Sequence, residues 1–134
     1  MLDSTPRASR ARIRQWVLLA HAAITTAAGC VLVVRPALIP ASVGIHLAPD
    51  TYLLSYLLAA AEFGFATLSG FGASLTDLRS LRVVLLATIV LHAASAILET
   101  YVWRAHMVPV LAVNVVARVL IVGVLTWLLP RASE

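Results

Sequence analysis

Apolar residues run along this chain in four long blocks, and polar residues gather in the gaps between them. The blocks run from Trp16 to Val34, Tyr52 to Leu75, Val83 to Trp103 and Pro109 to Leu129. Each is close to the roughly 20 helical residues that the hydrocarbon core of a bilayer requires. The pattern predicts an all-α membrane protein, a bundle of four transmembrane helices. Residues 1–15 read as a basic tail, 16–130 as the membrane domain and 131–134 as a short C-terminal tail. Pro109 suits a first helical turn, and Pro130 stops the last helix. The connections "TDLRSLR" and "RAHMV" are short, so helices two and three, and three and four, are expected to be antiparallel neighbours.

The link after the first block differs. "RPALIPASVGIHLAPD" sets Pro36, Pro40, Pro49 and Gly44 among apolar residues. It is expected to lie along the interface or to cap the outer mouth of the bundle. Asp50 or Thr51 is the expected N-cap of helix two.

Composition supports a membrane location. Of 134 residues, 61% are apolar and 12% charged, about half the charged fraction of a soluble domain. One small soluble core cannot hide that much apolar surface. The net charge of +4 does not indicate nucleic acid, because the basic residues stand at the ends of apolar blocks and form no groove. All ten basic residues are Arg, and with the abundant Ala this points to a GC-rich bacterial genome and a cytoplasmic (inner) membrane. Arg7, Arg10, Arg12, Arg14, Arg79, Arg82 and Arg131 fall on one side, and only Arg35 and Arg104 on the other. The positive-inside rule then places both termini in the cytoplasm. Aromatic residues agree: Trp16 and Trp127 fall at inner ends, and Tyr52, Tyr56, Tyr101 and Trp103 at or near outer ends.

Cys30 is the only cysteine, which excludes an intrachain disulfide, a Cys–Cys redox pair and a thiolate metal cage. The Arg-rich start and "TAAGC" resemble a signal peptide with a lipoprotein box. Ala27, however, stands where that box has a bulky aliphatic residue, and the apolar run continues past Cys30 as "VLVV". An uncleaved helix is expected. "HAA" occurs at His21 and at His92, but helices two and four do not match at that offset. The tripeptide reads as chance, and no inverted repeat is visible.

Six strongly polar residues fall inside the spans: His21, Glu62, His92, Glu99, Asn114 and Arg118. Counted from the ends of the blocks, Glu62, His92 and Arg118 each lie about 14–15 Å deep, near the midplane. His92 and Glu99 are seven apart and share a face; so do Asn114 and Arg118, four apart. Turning these faces inward sets Glu62 beside Arg118, whose stem also reaches toward Glu99. Two readings stand. In one, Arg118 pairs with Glu62 or Glu99, His92 and Asn114 complete a network, and the network fixes helix order and register. In the other, Glu62, His92, Glu99, Asn114 and Arg118 line a polar cavity for a ligand or for protons. Two carboxylates face one obligate cation, so the second needs a protonated His92 or must itself be neutral. His21, about 8 Å from the inner end, is expected to hydrogen-bond a neighbouring helix. Its offset from His92, about 6 Å, argues against a haem held between them. No cofactor or metal is expected.

Helix two carries Gly64, Ala66, Ser69, Gly70, Gly72 and Ala73. "SGFGAS" follows no strand and stays within an apolar span, so it is not a phosphate loop. Small residues there let helices approach closely, and helix two is expected to be central in the bundle or at an oligomer contact, with Gly64, Ser69, Gly70 and Gly72 as its packing positions.

Four features together resemble the DoxX-like group of small bacterial four-helix membrane proteins and its uncharacterised relatives. They are "GCVLVVRP" at the end of helix one, the Pro-rich outer loop, the acidic, Gly-rich "AEFGFATLSGFG" helix and the short basic loop before helix three. The resemblance covers about residues 16 to 130. It implies a four-helix bundle, and for some members a place as accessory subunits of redox enzymes that deliver electrons to quinone. No catalytic residue carries over.

The leading expectation is a non-enzymatic accessory or assembly subunit, or a binder of a small hydrophobic ligand such as a lipid or quinone. Its expected company is the bilayer, a membrane protein partner or a second copy of the chain. One alternative is a small proton-coupled transporter using Glu62. The chain resembles the small multidrug-resistance transporters in length and helix count, but those carry their essential Glu in the first helix and have weak charge bias. The other alternative, a membrane enzyme acting on lipid or quinone, lacks a recognisable nucleophile–base set or metal cluster.

Overall fold

The structure, a computed structural model, describes residues 6–130, with the backbone alone at residues 6–8 and 106. Four long helices form the bundle: α1 (Pro6–Val34), α3 (Leu53–Gly72), α4 (Leu78–His106) and α5 (Pro109–Leu128). Each is long and apolar enough to cross a membrane. The link between α1 and α3 holds a short helix, α2 (Leu38–Ser42), and a 3-10 turn (Pro49–Thr51). No strand occurs among the described residues.

Two helices run beyond their apolar blocks. α1 already includes Arg10, Arg12 and Arg14, because Arg is a good helix former and no Gly or Pro interrupts the stretch after Pro6. α4 starts at Leu78, where Asp77 caps it by accepting from the backbone N–H of Ser80 (2.8 Å) and Arg79 (3.4 Å). Its other end closes on Met107, whose left-handed backbone (φ 53°) lets its N–H bond the Trp103 carbonyl at 2.6 Å. Val108 is extended, as the residue before Pro109 must be.

The expected Asp50 or Thr51 cap of helix two is not found. Pro49 opens the 3-10 turn, the turn runs straight on through Tyr52, and no side chain caps α3. Ser55 instead ties the link down, its hydroxyl donating to the Pro36 carbonyl at 2.7 Å.

α1 lies along α3, and α4 along α5, as two closely packed pairs; α3 and α4 share few contacts despite their short connection. The pairs meet in a core of Leu18, Leu81, Val84, Leu85 and Leu125. This core sits toward the end of the bundle where α1 begins and α5 finishes. There the Arg10 guanidinium donates to the Trp127 carbonyl and stacks over its ring, 5.1 Å from the centroid, joining α1 to α5. Outward-facing positions are apolar: Ile24 is 70% exposed and Phe71 72%, as expected where lipid is the solvent.

Small residues allow the close approaches. A Cβ at Gly72 would lie 2.7 Å from Val84 Cγ1, and one at Gly29 would lie 2.7 Å from the Phe63 ring. At Gly64 it would meet nothing within 4 Å, and at Gly70 only Ala22 Cβ at 3.9 Å.

Candidate functional site: a buried polar cluster and the cavity beside it

Each long helix turns one stripe inward, and the polar residues belong to those stripes. On α1 the buried positions are Leu18, His21, Thr25, Gly29 and Leu32; on α3 they are Ser55, Ala59, Ala66, Ser69 and Gly72. On α4 Leu81, Leu85, Thr88, His92 and Ala96 continue the same alternation of three and four. Glu62 and Glu99 fall next in register on α3 and α4, and Asn114 and Arg118 follow Leu111 on α5. Thr25 and Thr88 turn their hydroxyls back onto their own helices, to the carbonyls of His21 (2.8 Å) and Val84 (2.9 Å).

Five of the other polar groups, Ser69, His21, His92, Arg118 and Glu99, make one hydrogen-bonded chain across all four helices. Ser69 Oγ lies 2.8 Å from His21 Nδ1. His21 Nε2 lies 2.9 Å from His92 Nε2, the two rings edge to face at 87°. His92 Nδ1 lies 3.3 Å from Arg118 Nη1, and Arg118 Nε donates to Glu99 Oε1 at 2.9 Å. His21 and His92 are 8% and 6% exposed; the side chains of Arg118 and Glu99 are 27% and 20% exposed.

Arg118 sets the sense of this chain. A guanidinium only donates, so His92 Nδ1 accepts and the His92 proton sits on Nε2. That proton is donated to His21 Nε2, and His21 carries its own proton on Nδ1, facing Ser69 Oγ. Both imidazoles are neutral in this arrangement. The His21–His92 bond occupies the lone pair that a metal would take, and no group of three or more His, Cys, Asp and Glu among the described residues is placed to hold a metal ion.

The contact between His21 and His92 corrects the depth offset read from the apolar blocks. Counted from the helix starts at Pro6 and Leu78, the two histidines lie about 22 and 21 Å along their helices, at the same level. Of the two carboxylates open to Arg118, Glu62 beside it and Glu99 within reach of its stem, the second is the partner. Arg118 engages Glu99 and His92, while Glu62 makes no hydrogen bond or ion pair among the described residues. The reason lies in the pairing of helices: α5 packs along α4, which carries both partners, whereas α3 packs along α1. The structure thus brings together His21, His92, Glu99 and Arg118, with Ser69 at one end. Ser69, expected as a packing position, is also a hydrogen-bond partner of His21. The "HAA" at both histidines was the available sign that α1 and α4 present matching faces.

Beside Arg118, toward the link, lies a cavity of about 750 Å³. Ile39, Pro40, Val43, Gly44 and Ile45 of the link roof it; Leu58, Leu98, Val102 and Leu111 form walls; Glu99, Asn114 and Arg118 form its polar base. A second cavity, about 570 Å³, opens between Arg12, Arg14 and Gln15 near the start of α1 and the residues after Gly72, and holds none of the cluster. Comparison of the chain with protein-family models, with curated proteins and with solved structures finds no match.

Proposed function

We propose that this chain is a non-enzymatic, multi-pass membrane protein that takes a small hydrophobic ligand, a lipid or a quinone, into the cavity beneath the link. The observation that carries this reading is the cavity itself. Its volume of about 750 Å³ lies within the range of small-molecule sites, and apolar walls around a few convergent polar groups are their usual make-up. The walls Leu58, Leu98 and Val102 are 47%, 67% and 41% exposed, so they are continuous with the surface that faces lipid. A ligand dissolved in the bilayer reaches the site sideways, while Ile39, Pro40 and Ile45 screen it from the water above.

The arginine bias supports cytoplasmic termini, and with them a cavity in the outer leaflet; the all-Arg, Ala-rich composition supports a bacterial inner membrane. The resemblance to the DoxX-like group is part of the same proposal, with an accessory role beside a membrane partner as the wider setting. Proton-coupled transport through Glu62 has less support. Glu62 stands outside the hydrogen-bonded chain, and Arg118, which does not release its proton, interrupts any relay from that chain to the cavity.

Native mass spectrometry from mild detergent tests the proposal. The expected result is a retained lipid or quinone that is lost when Leu58→Trp and Val102→Trp fill the cavity. A chain that retains nothing, and binds no apolar probe in lipid nanodiscs, rules the proposal out.

A further inference from the structure

We propose that the ligand of this cavity carries a neutral carbonyl group (a ketone or ester) and places it at mid-membrane depth, where it accepts hydrogen bonds from Arg118 and the Asn114 amide. This rests on the cavity being a ligand site, and it names the chemistry that site selects.

The donors come first. Nε and Nη1 of Arg118 are engaged by Glu99 and His92, which leaves Nη2. The Asn114 amide makes no hydrogen bond among the described residues. Both side chains line the cavity. On the acceptor side, Glu99 Oε1 is taken by Arg118, and Oε2 is buried without a partner, closed off from an incoming molecule. The open polar groups at the base are therefore mainly donors, and they fit an acceptor. A hydroxyl also accepts, but its own proton finds only the Asn114 oxygen.

Charge narrows the class. Arg118 is already paired with Glu99. An anion entering here loses its hydration without gaining an unpaired cation, and a cation meets Arg118 directly. Depth narrows it further. Arg118 lies nine residues into α5, about 14 Å along the helix. That is near the middle of a hydrocarbon core about 30 Å thick, whereas the ester groups of a standing phospholipid lie at its edge. The bulk lipids of the membrane do not bring a carbonyl to this level; a free, neutral amphiphile does.

Three probes of equal chain length test this in lipid nanodiscs: 2-dodecanone, 1-dodecanol and, at alkaline pH, dodecanoate. Each competes against labelled 2-dodecanone. The expected order is ketone tightest, alcohol next and carboxylate weakest. Asn114→Leu, checked by circular dichroism and size-exclusion chromatography for an intact fold, should weaken the ketone about 5-fold, the size of one hydrogen bond, and leave the carboxylate unchanged. Arg118→Lys, which keeps the charge and loses Nη2, should act the same way. Carboxylate binding equal to or tighter than the ketone overturns the inference and leaves the ligand cavity standing. So does a ketone affinity unmoved by both variants. Failure of all three probes overturns the cavity proposal along with it.

Discussion

The Nε2 atoms of His21 and His92 lie 2.9 Å apart, one on each side of the boundary between the two helix pairs. This bond joins the α1–α3 pair to the α4–α5 pair away from their leucine core. Replacing either histidine alone by Leu leaves the other ring with an unpaired polar nitrogen. Each single change should destabilise the bundle by about 1 kcal/mol, the scale of interhelical hydrogen bonds in membranes. The His21→Leu/His92→Leu double variant should lose less than the sum of the singles. Unfolding titrations in mixed micelles measure this; strict additivity would show that the two rings do not interact.

Arg118 and Glu99 form the cluster's ion pair, and Glu62 makes neither a hydrogen bond nor an ion pair to it among the described residues. Glu99→Leu should therefore destabilise the protein by about 2 kcal/mol, below the 3–5 kcal/mol of a fully buried pair because both side chains keep some exposure. Adding Arg118→Leu should recover most of the loss. Glu62→Gln should change stability by no more than about 0.5 kcal/mol. A Glu62→Gln loss as large as that of Glu99→Leu would assign the ion pair to the wrong carboxylate.

Gly72 faces Val84, which is 6% exposed and part of the leucine core. Gly72→Ala forces a methyl into a 2.7 Å gap and should destabilise by about 1–3 kcal/mol through overpacking. Gly64→Ala, where the new methyl meets nothing within 4 Å, should be neutral or stabilising by up to about 1 kcal/mol from helix propensity. Melting temperatures of the two variants in one detergent make the comparison, and an inverted order would contradict the placement of α3 against α4.

Asp77 is the pH-sensitive cap of α4. Hydrogen bonding from Ser80, and then from the Arg79 N–H, holds its carboxyl below the ordinary value of 3.8. A carboxylate whose folded-state value is depressed contributes stability above the unfolded value and loses it as pH falls through the folded one. The gap in stability between the natural protein and Asp77→Ala should thus be constant at neutral pH and shrink below pH 3.8. Paired denaturation curves at neutral and low pH read the gap directly; a constant gap across that range would remove the cap from the account.

Particular residues show what was legible beforehand. The inward faces of α4 and α5 could be read from His92 and Glu99, seven apart, and from Asn114 and Arg118, four apart, because helical spacing is a local property. The choice of Glu99 over Glu62 as the partner of Arg118 was not legible. Counted from the apolar blocks, Glu62 is the carboxylate level with Arg118, and only the pairing of α4 with α5 decides for Glu99. The meeting of His21 with His92 was hidden for a different reason. Hydropathy marks where lipid contact begins, whereas helices start where backbone and caps allow, at Pro6 and after Asp77. Depth counted from the wrong ends set the two rings about 6 Å apart.

The sequence by itself determined four apolar helices, their antiparallel course and the polar stripe on each, since these follow from chain length, periodicity and the energy of unpaired charge in lipid. Tertiary structure alone decided which helices pair, which carboxylate meets Arg118, and that the link roofs a cavity over the Arg118–Glu99 pair. Apolar faces adhere to lipid about as well as to one another. Hydrophobic pattern therefore does not rank the possible neighbours of a membrane helix; close fit at residues such as Gly72 and a few directed hydrogen bonds do.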